Sequence, residues 1–126
     1  MTPMIASTLE EFGRSIGMDA LATDATGTLS LRLGRERRLS FHASNTGVLL
    51  MLSAPLAAGN QLETKCRALT LCRLSQGWHL PVRAGLTSDG HLVFTTQLEA
   101  REFRLHVLEQ ACELLGHLHD QIHFQG

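Results

Sequence analysis

Residues 27–52, GTLSLRLGRERRLSFHASNTGVLLML, decide the fold. From Gly27 onward Leu29, Leu31 and Leu33 alternate with Thr28, Ser30 and Arg32. A period of two is the signature of a strand with one face against a core. After the polar link Gly34-Arg35-Glu36-Arg37 the alternation resumes, with Leu39, Phe41 and Ala43 against Arg38, Ser40 and His42, which predicts a hairpin. Asn45-Thr46-Gly47 supplies a second turn. The unbroken apolar run Val48-Leu49-Leu50-Met51-Leu52 then predicts a third strand covered on both faces. A three-strand meander results.

Upstream of this meander, Leu9, Phe12 and Ile16 recur at helical spacing behind Thr8, with Glu10 and Glu11 in the first turn and Gly17 beyond the end. A helix of about three turns does not stand alone in water, so its apolar stripe must cover something. Downstream, the breaker-rich stretch Ser53 to Asn60, with Pro55 and Gly59, leads to a second helix expected over about Gln61 to Ser75. Leu62, Cys66 and Leu69 share one side of it, while Ala68, Leu71, Cys72 and Leu74 cover much of the rest. Apolar on several sides, it needs more than one covering surface, and a second copy of the chain can supply one. Trp78, Leu80, Val82, Ala84 and Leu86 then alternate as a strand in which Pro81 marks an edge or a bulge. Ser88-Asp89-Gly90 reads as a hairpin turn into His91–Thr95. Thr96-x-x-Glu99 has capping-box spacing and is expected to open a last helix, to about Ile122, with Leu108, Ala111, Cys112, Leu115 and Ile122 on one stripe. The expected class is α+β: an αβββαββα sandwich with a five-stranded antiparallel sheet and three helices, in a single domain over 1–126.

Composition narrows the function classes. With 126 residues, 44% hydrophobic and 18% charged, the chain is too apolar for disorder, and an aromatic content of 5% with no Tyr makes leucine the main core residue. Eleven Lys and Arg against twelve Asp and Glu leave a net charge of -1, so no global field is available to hold nucleic acid. The apolar run 48–52 falls far short of the ~20 residues that span a bilayer, so no membrane span is expected. Cys66, Cys72 and Cys112 are an odd number with no secretory leader ahead of them, which favours a reducing cytoplasm over a disulfide framework.

Candidate chemistry is sparse. His119 and His123, four apart with Asp120 between them, have the spacing of a two-histidine metal clamp but no third ligand motif. The favoured reading places them as terminal-turn histidines near the negative end of a helix dipole. His106 and His117 read as solvent-facing, and His42, His79 and His91 as outward-facing or strand-end positions. Cys66 and Cys72 lie ~240° apart around a helix, which excludes a metal pair between them. Cys112 reads as a small buried hydrophobe. Arg35-Glu36-Arg37-Arg38 is the densest run of charge and reads as a solvated hairpin tip. Neither a Gly-rich phosphate loop nor a nucleophile motif occurs, so no catalytic residue, metal or cofactor is assigned. More leucine than one small protomer can hide points to a binding protein rather than an enzyme.

The order of elements, together with LEEFGRSIGMDAL (9–21), GTLSLRL (27–33), GVLLML (47–52), RALTLCRLSQGWHLPVRAGL (67–86), DGHLVFTTQL (89–98) and EFRLHVLEQACELLGHL (102–118), resembles the class I effector chaperones of bacterial type III secretion, the group related to the Tir chaperone. The resemblance covers nearly the whole chain. It implies a cytoplasmic, non-enzymatic homodimer, with a heterodimer as the variant, that binds the N-terminal segment of a secreted effector and keeps it secretion-competent. Carried over, it places Leu69, Cys72, Trp78 and Leu80 at the dimer interface. It makes Leu9, Phe12, Ile16, Leu29, Leu31 and Phe41 the apolar surface that receives effector anchors, with a core role equally open for Leu29 and Leu31. The alternatives are an adaptor or regulator of the same fold that sequesters a secretion gatekeeper or a transcriptional partner, and a small metal-dependent enzyme built on His119, Asp120 and His123.

Overall fold

A computed structural model describes residues 3–15, 28–33, 36–44, 46–56, 61–74, 81–88 and 90–124. The elements are α1 (Pro3–Ser15), β1 (Thr28–Leu33), β2 (Arg37–Ala43), β3 (Gly47–Pro55), α2 (Gln61–Leu74), β4 (Val82–Leu86), β5 (His91–Glu99), a 3-10 turn (Ala100–Glu102) and α3 (Leu105–Phe124). The order is the αβββαββα expected from the hydrophobic periods. All five strands form one antiparallel sheet in the order β1-β2-β3-β5-β4, so β1 and β4 are its edges.

The register follows from the alternation. Leu29, Phe41, Leu50 and Thr96 stand in one row across the sheet, and Leu31, Leu39, Leu52 and Phe94 in the next. Both rows lie on the inner face, where every one of these residues is at most 5% exposed. A one-residue slip would turn both rows to solvent, which is why the register is well specified. The helices close this face. From α3, Leu108, Ala111, Leu115, Leu118 and Ile122 join the same core cluster, and Leu9 and Phe12 join it from α1.

Residues 44–47 make a tight corner in which the Ser44 N–H donates to the Gly47 carbonyl at 2.8 Å. A Cβ on Gly47 would sit 2.1 Å from the Leu98 carbonyl oxygen, so the close approach of β3 to β5 admits only glycine there. Gly90, at φ 84°, supplies the left-handed residue of the β4–β5 turn. The expected Asp-Gly signal is therefore seen at its glycine; Asp89 lies outside the described residues.

Three local expectations are corrected. α1 begins at Pro3, so Thr8 sits inside the helix instead of capping it; its buried hydroxyl donates to the Phe103 carbonyl at 3.3 Å and ties α1 to the start of α3. Thr96 and Glu99 belong to β5, because Leu98 continues the inward alternation against Val48; α3 starts at Leu105 after the 3-10 turn. The Thr96 hydroxyl is left buried with no hydrogen-bond partner among the described residues. β3 is covered fully on one face only: Val48, Leu50 and Leu52 are buried, whereas Leu49 and Met51 are half-exposed on the other.

Candidate partner-binding surfaces

The residues expected to receive effector anchors are brought together, but inside. Leu9 and Phe12 of α1 lie in one cluster with Leu29, Leu31 and Phe41 of β1 and β2, each 5% exposed or less. The Phe12 and Phe41 rings meet edge to face, with centroids 5.8 Å apart, a geometry that adds about 0.5–1.5 kcal/mol to simple burial. These five are core positions in the free chain. Ile16 lies outside the described residues.

α2 is the contrasting surface. Its Ala68 is buried, with Leu71 and Cys72 half-buried against the core beside Val82, Ala84 and Leu86 of β4. Burial raises the Cys72 thiol pKa above its ordinary value. On the opposite stripe Leu62 is 77% exposed and Leu69 47%, and Cys66 is exposed between them. Thus Leu69 faces outward and Cys72 faces the core; Trp78 and Leu80 lie outside the described residues.

The edges and the outer face complete the inventory. Among the described strands β1 has a single neighbour, β2, and so stands at an edge of the sheet. On the outer face, the Thr28 hydroxyl and His42 Nδ1 are 2.9 Å apart and the Ser30 and Ser40 hydroxyls 3.2 Å.

The clamp reading of His119 and Asp120 fails on direction. His119 is fully buried, donating from Nε2 to the Leu52 carbonyl at 2.7 Å, with its ring edge-on to Phe94 at 4.9 Å. Asp120 points outward and pairs with Arg37, which also donates to the Gly116 carbonyl at 3.4 Å. The hydrogen bond from Arg37 holds the Asp120 carboxyl below its ordinary pKa. The two side chains do different work: one seats α3 on β3, the other latches α3 to the start of β2. Among the described residues no group of three metal-ligating side chains converges; the His123 side chain is not among those described. No described helix is long and apolar enough to cross a membrane.

Residues 4–123 match the family described as type III secretory system chaperone SycN. The chain belongs to that family. Solved structures carry the same fold at low identity. The Yersinia pestis type III secretion chaperone SycH, in complex with a fragment of YscM2, is 19% identical with a TM-score of 0.64, over 97% of this chain and 99% of that one. The chaperone–effector complex of SchA with HopA1 is 19% identical with a TM-score of 0.66, over 93% and 91%. The ExsC–ExsE complex is 21% identical with a TM-score of 0.68, over 98% and 92%. No curated protein sequence matches.

For a type III secretion chaperone, two features of this chain escaped the sequence reading. His119 was expected at a terminal turn, yet α3 runs on to Phe124 and turns it inward; its place between Leu115, Leu118 and Ile122 on the buried stripe was the available signal. The pairing of Arg37 with Asp120 spans 83 residues and left no local signature.

Proposed function

We propose that this chaperone binds the N-terminal segment of a secreted effector in the bacterial cytoplasm and keeps it soluble and extended, acting by binding alone and as a homodimer. The observation that carries the reading is the family match over residues 4–123. The edge position of β1 among the described strands and the exposed leucines of α2 are consistent with it. A bound segment gives up conformational entropy, and strand pairing with apolar anchoring offsets that loss without nucleotide hydrolysis. The second copy is proposed to sit on the Leu62–Cys66–Leu69 stripe, with Trp78 and Leu80 extending that contact.

Co-expression with candidate secreted proteins tests the reading. A complex should copurify that needs only about the first 100 residues of the cargo, within the range that coupled folding and binding wraps. A folded dimer that retains no secreted protein of its host refutes it.

A further inference from the structure

The outer face of the sheet contains a cleft of about 360 Å³ lined by Arg32, Glu36, Arg37, Arg38, Ser53, Thr87 and His91. It lies at the end of the sheet where the link between β1 and β2 and the turn between β4 and β5 flank the end of β3. Its floor breaks a rule that its neighbours obey. Along the outer face of the β1–β2 pair, Thr28 stands opposite His42 and Ser30 opposite Ser40, each pair joined by a hydrogen bond, but the next rung sets Arg32 directly opposite Arg38. Like charges at directly opposed positions repel. Neither guanidinium makes an ion pair or side-chain hydrogen bond among the described residues, although Glu36 lies on the rim. Arg37 is already committed to Asp120.

The imbalance extends beyond the cleft. Within the strands, the charged side chains on the outer face are Arg32, Arg38, Arg83 and Glu99, and Glu99 is paired with Arg101. A chain of net charge -1 therefore presents a cationic sheet face. Beside the arginines that face turns apolar: Ser53 stands opposite both Arg38 and Val93, and Met51 and Leu49 follow along β3, all half-buried. A local conflict left without an internal partner marks a functional position more often than a structural one.

We propose that this cleft takes a carboxylate side chain of an extended peptide, which lays the apolar residues two and four positions away on Val93, Met51 and Leu49. Same-face residues of a strand are ~6.8 Å apart, which sets the spacing of two. Two guanidinium forks from opposed positions suit a carboxylate, because each offers paired N–H donors to its oxygens. The peptide's owner is the secreted protein of the proposed function, and that identification rests on the chaperone reading; the site itself does not.

The test titrates the blocked peptide acetyl-Glu-Ser-Leu-Ser-Val-amide into the whole protein, followed by amide chemical shifts. Saturable shifts confined to residues around 32, 38, 49–53 and 91–93, with a dissociation constant in about the millimolar range, support the proposal. So does at least a tenfold weakening for the Gln-containing peptide and in the Arg32→Gln/Arg38→Gln variant, whose exposed positions leave the fold intact. No saturable shift, or equal binding of the Gln peptide, overturns it. A secreted protein held equally well by the double variant overturns the cleft and leaves the chaperone reading standing. Peptide binding by a chain that holds no secreted protein does the reverse.

Discussion

α2 and α3 lie side by side on the same face of the sheet and are both rich in leucine, yet they use it in opposite ways. α3 buries Leu108, Ala111, Leu115, Leu118, His119 and Ile122, which fall on one stripe, whereas α2 buries Ala68 alone among its described side chains and leaves Leu62 and Leu69 open. A helix whose apolar residues share one stripe is satisfied by its own core. One whose apolar residues spread around it is satisfied only by a second surface. The difference separates the helix that holds this chaperone together from the helix proposed to meet a second copy.

The comparison breaks first at Leu115, which is fully buried under α3. Leu115→Ala removes three heavy atoms from a packed core and should lower unfolding free energy by about 2–5 kcal/mol, read from the shift of the urea midpoint. That is a large part of the ~5–15 kcal/mol that holds a domain. A loss below about 1 kcal/mol would mean that α3 is not the structural helix.

A smaller effect is expected one turn on. His119→Phe keeps a ring against Phe94 but deletes the bond to the Leu52 carbonyl, so it should destabilise by about 1 kcal/mol. His119→Ala, which also opens a cavity, should cost more. Equal losses for the two would show that the hydrogen bond, and not the ring, seats α3 on β3.

These two positions also show what was legible in the chain. The period of two gave the strands and their inner rows because one buried face fixes both register and alternation, and the spread of leucines around residues 61–74 marked α2 as under-covered. Element ends were less legible: Thr96-x-x-Glu99 satisfies the capping-box spacing, but Leu98 pairs with Val48 and long-range pairing overrides the local signal. Thr8 shows the same limit, since a threonine near a helix start caps or packs depending on a partner 95 residues away. For the site, the surface expected on Leu9, Phe12, Leu29, Leu31 and Phe41 is core, because sequence shows which residues are apolar and not which of them the fold buries. The Arg32–Arg38 rung needs the register to be seen at all.

The latch between Arg37 and Asp120 should matter less than either buried residue. The folded protein holds the Asp120 carboxyl below its ordinary value of 3.8, chiefly through the hydrogen bond from Arg37. An acid whose pKa falls on folding contributes stability above its unfolded pKa and loses it as pH drops through the folded one. Asp120→Asn should therefore flatten the fall of stability below about pH 4 while costing at most about 1 kcal/mol at neutral pH, since the pair is largely solvent-exposed. An unchanged acid limb in the variant would remove the latch from the account.

The smallest effect on folding is expected where the functional consequence is largest. Leu62→Ser with Leu69→Ser takes apolar surface from positions that touch little of their own protomer, so at dilution, where every chain is single, stability should shift by no more than about 0.5 kcal/mol. At higher concentration the parent gains stability from the partner that the variant cannot recruit, so their unfolding midpoints should diverge as protein is added. Sedimentation should then find two protomers for the parent and one for the variant. The cysteines provide an independent reading of the same surface. Burial and the neighbouring Glu109 and Glu113 push the Cys112 thiol on α3 up to about 12, so it should resist maleimide near neutral pH at any concentration. Cys66, exposed between the two leucines, should react readily at dilution and become protected as the parent associates, while staying reactive in the double variant. If Cys66 reacts at the same rate at every concentration of the parent, α2 does not face a second copy, and its open leucines belong to the cargo.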